Sequence, residues 1–277
     1  MVKNAPKAGK GTAVAKVTAV TKAAPTEMEL QDELAEMEGM GLEEVKASDL
    51  IIPRITILQA LSPQLQKSKP EFIKGATAGQ ICDLSLSKLF DEITFIPVHY
   101  KKNYIEWAPR NSGKGLVKIH DDPRILDMCT RNDRNQPIMP NKNYIQETAQ
   151  FFGFNVSDSF RRVFIPMAST QLKKAKKWLT MATEEKMPLR DGRMITPPLF
   201  FRSYNLSVGE ESNSEGEWFG WRIEPADTVQ QVCESAEIDL RTFMEQAKEF
   251  HNYCATGQAK ADLASMAADA ATEEGSM

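Results

Sequence analysis

His120, Asp121 and Asp122, in the stretch IHDDP from Ile119 to Pro123, are the one cluster in this chain that offers three potential ligands to a divalent metal. Metal-assisted phosphodiester hydrolysis needs such a set. Adjacent carboxylates alternate faces on a strand, however, and Asp-Asp-Pro is equally a turn that starts a helix with proline at its first position. His251 and Cys254 lie three apart with no second ligand pair near them. The four cysteines, Cys82, Cys129, Cys233 and Cys254, form no CxxC pair, so neither a zinc finger nor a disulfide framework is signalled. GKGT at Gly9 to Thr12 and SGKG at Ser112 to Gly115 lack the phosphate-cradling GxxxxGK[ST] spacing, and no GxSxG or HExxH occurs. The expectation is a protein that is not an enzyme and carries no cofactor and no metal, with a metal-dependent nuclease at His120, Asp121 and Asp122 as the enzymatic alternative.

The second chemistry is binding. A groove that holds a single strand combines cations for the phosphates with aromatic faces on which bases stack, each stack contributing about 1–3 kcal/mol. HYKKNYIEWAPR, His99 to Arg110, supplies Tyr100, Tyr104 and Trp107 beside Lys101, Lys102 and Arg110. Successive strand residues alternate faces, so Tyr100, Lys102 and Tyr104 share one face while Lys101, Ile105 and Trp107 share the other. Trp107 and Ile105 are expected in the core and Tyr100, Lys102 and Tyr104 on the open face. In LFFRSYNL, Phe200, Arg202 and Tyr204 share a face. In EWFGWRIE, Phe219, Trp221 and Ile223 make the natural core face and leave Trp218 and Arg222 opposite. Arg161 and Arg162 straddle both faces of FRRVFIP. Lys101, Lys102, Arg110, Arg161 and Arg162 are the candidate phosphate contacts. Tyr100, Tyr104, Trp107, Tyr204 and Trp218 are the candidate stacking platforms, with Arg202 and Arg222 beside them.

These residues sit on predicted strands. IIPRITILQ, with Pro53 at a strand entrance, and GQICDLSL come first. DEITFIPVHY and NYIEWA follow as two extended runs around Lys101 and Lys102. NYIQETAQFFGFNV and FRRVFIPMA form a second pair across SDS, and PLFFRSYNLSV and EWFGWRIEP a third pair across EESNSEG. Two helices interrupt this pattern. STQLKKAKKWLTMATEEK, Ser169 to Lys186, can be capped by Ser169 or Thr170 and puts Leu172, Ala175, Leu179 and Ala182 on one face with Trp178 at its margin and Lys173, Lys174, Lys176 and Lys177 around the rest. EIDLRTFMEQAKEFHNYCATG sets Ile238, Leu240, Phe243, Met244, Ala247, Phe250 and Cys254 on an apolar stripe that Gly257 can stop. Pro109 to Asn141 reads as a long excursion with one helical turn at Pro123 to Cys129.

The fold class expected is mainly β (α+β): an OB-like antiparallel barrel with an inserted helix, a C-terminal helix and disordered termini. Residues 1–49 make a basic and then acidic tail, 50–256 the barrel domain and 257–277 an acidic C-terminal tail. The net charge of −4 hides segregation. Residues 50–190 hold 22 basic and 13 acidic side chains, a surplus of +9, whereas 27–49 carry nine acids against one lysine. A basic middle between acidic flanks fits a polyanionic partner. Within the acidic flank, Met28, Leu30, Leu34 and Met37 recur at helical spacing, the mark of an amphipathic helix or of a segment that folds on a partner. No segment has the roughly 18 uncharged apolar residues of a membrane span, and an intracellular protein is expected.

IIPRITILQALSP, IPVHYKKNYIEWAPR, WFGWRIE, the helix end EFHNYCATGQ and the acidic C-terminus together resemble phage-encoded single-stranded DNA-binding proteins of the OB-fold class, over residues 50–277. The resemblance implies a non-enzymatic protein of the host-cell cytoplasm, oligomeric or not, that coats single-stranded DNA during replication and recombination and recruits replication proteins through acidic segments. The C-terminus departs from that pattern: it ends EEGSM, with four acids in its last 21 residues and no terminal aromatic. The alternative is a protein-interaction module in which the acidic segment Glu27 to Glu44 docks on a host or replisome component.

Overall fold

The computed structural model describes residues 27–45, 51–109, 112, 114–133, 135–214 and 216–259. Arg110, the expected tail over 1–26 and the acidic end from 260 onward lie outside the described residues. The chain divides into two compact units, Met1–Lys46 and Ala47–Met277. In the first, α1 (Glu27–Glu36) is followed by turns to Val45. Its apolar residues Met28, Leu34, Met37, Met40, Leu42 and Val45 are all exposed.

The second unit is built on antiparallel strands. β1 (Ile55–Ile57), β2 (Ile81–Asp83) and β3 (Lys88–Phe90) form a three-stranded sheet in that order. Next come β4 (Glu92–Trp107), β5 (Leu116–His120), β6 (Thr130–Arg131), β7 (Pro137–Ile138), β8 (Tyr144–Asn155) and β9 (Arg161–Ala168). After α2 (Leu172–Glu184), β10 (Met187–Pro188) and β11 (Met194–Ile195) make a two-stranded ribbon. β12 (Arg202–Asn213), β13 (Gly216–Thr228), α3 (Val229–Ser235) and α4 (Leu240–Ala255) complete the unit. The large sheet runs β13-β12-β4-β8-β9, with β5 on the far half of β4 and β7-β6 beside the start of β8.

The expected pair of runs around Lys101 and Lys102 is one 16-residue strand, β4. Asn103 does not turn the chain, because it is buried and its side chain donates to Asp121, and both lysines find acidic partners, Lys101 in Asp121 and Lys102 in Glu147. The register slips between Pro97 and His99, and such a bulge bends a strand and raises its twist. Opposite it, Gly153 admits no side chain: a Cβ there would lie 2.2 Å from the Ile96 carbonyl oxygen. The hairpin turn expected over EESNSEG is shorter, because pairing continues out to Asn213↔Gly216.

Alternation divides the strands between two cores. Ala149 and Phe151 of β8 and Val163, Ile165 and Met167 of β9 join Ile93, Phe95, Leu206 and Trp221 in the first, against Ala175 and Trp178 of α2. Phe152, Phe154 and Phe164 point the other way, under Val229, Val232, Phe243, Ala247 and Phe250 of α3 and α4. A helix layer thus covers each face. The sequence places Trp178 at the margin of its helix, but it is fully buried and stacks on Phe151, ring centroids 4.1 Å apart. No hydroxyl caps α2. By contrast, α4 begins where Asp239 accepts from the Thr242 amide, and Gly257 follows its end at φ +73°.

β1 closes the curl. Arg54 bridges to Phe164 of β9 in parallel, and the Phe164 amide donates to the Pro53 carbonyl at 2.9 Å. On the other side the Gln59 side chain pairs with the backbone of Phe219 in both directions, at 2.9 Å each. Gln171 accepts from the Trp221 amide at 3.1 Å. Two glutamines therefore occupy edge groups of β13 that would otherwise invite another strand.

Candidate nucleic-acid interface

The aromatic residues expected as stacking platforms divide by burial. Tyr104, Trp107 and Tyr204 are 6 %, 2 % and 1 % exposed, so none offers a ring face to a base. The Trp107 indole donates to Gln146 at 3.0 Å and shares a small core with Ile105, Leu116 and Tyr144. Tyr204 meets Trp178 edge-on. Tyr100, Lys102 and Tyr104 do share a face, but that face continues the main core: Tyr100 packs on Phe151 at 5.2 Å, and burial pushes its phenol above the ordinary tyrosine value. The open face expected for the three is corrected accordingly. Tyr100 and Trp218 are partly exposed, but Tyr100 packs against the core, whereas Trp218 lies on the surface opposite Trp221.

Most of the expected phosphate contacts are already paired. Lys101 lies 3.0 Å from Asp121, and Lys102 lies 2.9 Å from Glu147, whose hydrogen bond pushes the ammonium above its ordinary value. Arg161 spans Asp158 and Asp83 at 3.4 and 3.7 Å. Arg162 sits 5.2 Å over the Phe250 ring, near Glu249. Arg202 forks onto Glu185 and the Ala226 carbonyl, and the Glu185 hydrogen bond raises its guanidinium further. Cations held this way are neutralised before any ligand arrives. Arg222 is exposed and makes no ion pair among the described residues.

The IHDDP ligands disperse. His120 goes to Glu106 at 2.8 Å, Asp121 accepts from Lys101 and the Asn103 amide, and Asp122 caps the turn Pro123–Met128 through the Arg124 amide. Among the described residues no group of three His, Cys, Asp or Glu side chains could hold a metal ion. Glu106 is the centre of a network the sequence did not reveal: Asn141 and Asn143 both donate to its Oε1, and His120 meets Oε2. Burial opposes its charge, but these three hydrogen bonds together outweigh burial and hold the carboxyl below the usual carboxylate range. They tie the excursion after Trp107 to β4. A carboxyl depressed by folding contributes stability that is present above its unfolded value and is lost as pH falls through the folded one. Glu106→Ala, which leaves the buried Asn143 and the more accessible Asn141 and His120 without their shared acceptor, is expected to cost about 1–3 kcal/mol. Thermal melts across pH check both points: the wild-type melting temperature falls as Glu106 protonates, and the variant loses that part of the fall.

What remains open lies on the β12–β13 hairpin and α2. Gly209 and Gly220 are cross-strand partners, flanked on the same face by Glu211, Trp218 and Arg222. A Cβ on Gly209 would fall 2.2 Å from Arg222 Nε, and one on Gly220 2.2 Å from Lys174 Nζ. The two glycines are therefore a floor on which two cations lie flat. Lys174 reaches there from α2 and pairs with Glu211, which also accepts from the Trp218 indole at 2.9 Å. Lys173, Lys176 and Lys177, at i, i+3 and i+4 on the exposed side of α2, make no ion pair among the described residues. Sequence reasoning named Trp218 and Arg222 but not this floor; glycine inside a predicted strand is the signal that could have found it.

A family model described as Pam3 phage gp34-like protein matches residues 21–260. The chain belongs to that family, a family of phage proteins. No curated protein and no solved structure matches. No helix among the described residues is long and apolar enough to cross a membrane.

Proposed function

We propose that this gp34-like phage protein binds single-stranded nucleic acid without strong sequence preference, through the outer face of the β12–β13 hairpin and the adjoining lysines of α2. The observation that carries the reading is the unneutralised set Lys173, Lys176, Lys177 and Arg222 beside the partly exposed Trp218. Cations without internal partners give up bound counterions to a phosphate backbone, and an open indole accepts a base of any sequence. The strand order β13-β12-β4-β8-β9, with α2 between β9 and β12, is also what an OB barrel numbered from β4 would have. The outer β8–β9 face, where such barrels commonly bind, lies here beneath α3 and α4. That cover favours the hairpin as the route.

A labelled single-stranded oligonucleotide and a duplex of equal length, compared by gel shift at low salt with an RNA competitor, test the proposal. A shift of the single strand at protein concentrations that leave the duplex unmoved is the expected result. A shift of neither favours a second reading, in which the acidic α1 segment docks on a replication or host protein. One observation supports that alternative: six large apolar residues from Met28 to Val45 are exposed among seven acids and no base. Magnesium-dependent loss of the oligonucleotide in the same lanes would instead favour an enzyme.

A further inference from the structure

We infer that Glu211 is a built-in counter-ion that occupies the place of a backbone phosphate on this surface and must give way when a strand binds; the inference rests on the single-strand reading above. Its carboxylate receives two different donors at once, the Lys174 ammonium at Oε1 and the Trp218 indole N–H at Oε2, 2.9 Å away. An ammonium and an N–H converging on one oxyanion is the arrangement a phosphodiester oxygen would meet. Glu211 stands directly across the ladder from Trp218, so the acid lies beside the partly exposed indole of the hairpin's outer face.

The pair is recessed. Gly220 leaves a hollow in the strand surface, and a Cβ there would lie 2.2 Å from Lys174 Nζ and 2.8 Å from Glu211 Cδ. The side chains of Lys174 and Glu211 are only 20 % and 31 % exposed, whereas Lys173, Lys176 and Lys177 on the same helix stand in solvent with no ion pair among the described residues. The surface thus holds two kinds of cation. The free lysines attract the phosphate backbone from a distance. Lys174 contributes nothing net until Glu211 leaves it, because the carboxylate cancels its charge and repels the incoming phosphate. Displacement needs only side-chain rotation, since both charges are carried at the ends of flexible chains.

Glu211→Gln separates these effects. The amide keeps an acceptor for the indole and removes the charge, so Lys174 joins the cations that exchange counterions for phosphate. The expected result is severalfold tighter binding of an oligothymidylate, with the slope of log K against log salt steeper by about 0.7. Adding Lys174→Gln to that variant removes the extra slope. A role confined to holding the hairpin together would lower affinity and leave the slope unchanged. Gly220→Ala, whose Cβ meets only the flexible tips of the two side chains, breaks the pair by a second route and moves the slope in the same direction by a smaller amount. Circular dichroism melts confirm that each variant is folded. If the wild type binds the oligonucleotide and the two charge-pair variants bind no tighter and with no steeper slope, the counter-ion role is overturned and the single-strand reading stands. If the folded wild type binds no oligonucleotide, the single-strand reading falls and Glu211 has no strand to give way to.

Discussion

Trp178→Ala is expected to lower the stability of the β-rich unit by about 3–5 kcal/mol, the range seen when a buried aromatic is cut back to a methyl group. The indole is fully buried, stacks on Phe151 at 4.1 Å, and meets Phe95 and Tyr204 edge-on at 5.9 and 5.3 Å. Alanine would remove all three ring contacts and leave a cavity where strands from both halves of the sheet meet α2. Domains of this size are stable by about 5–15 kcal/mol, so the loss is a large share of the total. It corresponds to a fall in melting temperature of about 10 °C, read by circular dichroism. A fall of one or two degrees would mean that α2 is a surface attachment, and the two-core description of the sheet would be wrong. Because Lys173, Lys176 and Lys177 ride on this helix, the same residue that completes the core also fixes where those charges stand.

Trp178 also shows where reading the chain succeeds. Helical periodicity found α2 and its charged face, but a period alone does not say how deep a helix sinks; an indole at the margin of an apolar stripe became the centre of a core because the curled sheet offered Phe95, Phe151 and Tyr204 around it. The C-terminal helix was easier. Phe243, Ala247, Phe250 and Cys254 face one core as their spacing requires, while Met244, at the edge of that stripe, is 45 % exposed. Strand alternation in EWFGWRIE was right about Trp221 against Trp218 and Arg222. In HYKKNYIEWAPR it was right that Tyr100, Lys102 and Tyr104 share a face and that Ile105 and Trp107 are buried, and wrong that the first face was open. The bulge between Pro97 and His99 moves the parity of everything after it, and Pro97 inside the run is the signal that could have announced the slip.

The candidate site was harder to read for a physical reason. An aromatic beside a cation looks the same in a sequence whether the pair serves a ligand or the protein's own acids. Lys101, Lys102, Arg161, Arg162 and Arg202 all met internal acids, and apart from Asp158, three residues from Arg161, those acids are distant in sequence, where no local pattern gives them. What distinguishes Lys173, Lys176, Lys177 and Arg222 is the lack of such partners among the described residues, a property of the folded surface.

Those charges make the second large prediction. Four cations exchanging counterions for phosphates give a slope of log K against log salt of about −2.8 on a single strand, an affinity loss of about 50-fold between about 50 and 200 mM salt. Lys173→Gln, Lys176→Gln and Lys177→Gln together leave a slope of about −0.7 and a loss of about threefold over the same range. All three side chains are exposed, so the triple variant should melt where the wild type does. Trp218 is expected to report the same event, because a base stacked on its indole quenches its emission.

Fluorescence anisotropy of a labelled oligothymidylate, titrated with wild-type and triple-lysine protein at several salt concentrations, tests this most directly. A steep wild-type slope that collapses to about −0.7 in a variant of unchanged melting temperature is the predicted result; binding that ignores salt, or a slope that the three substitutions leave intact, would contradict the interface on α2 and the β12–β13 hairpin.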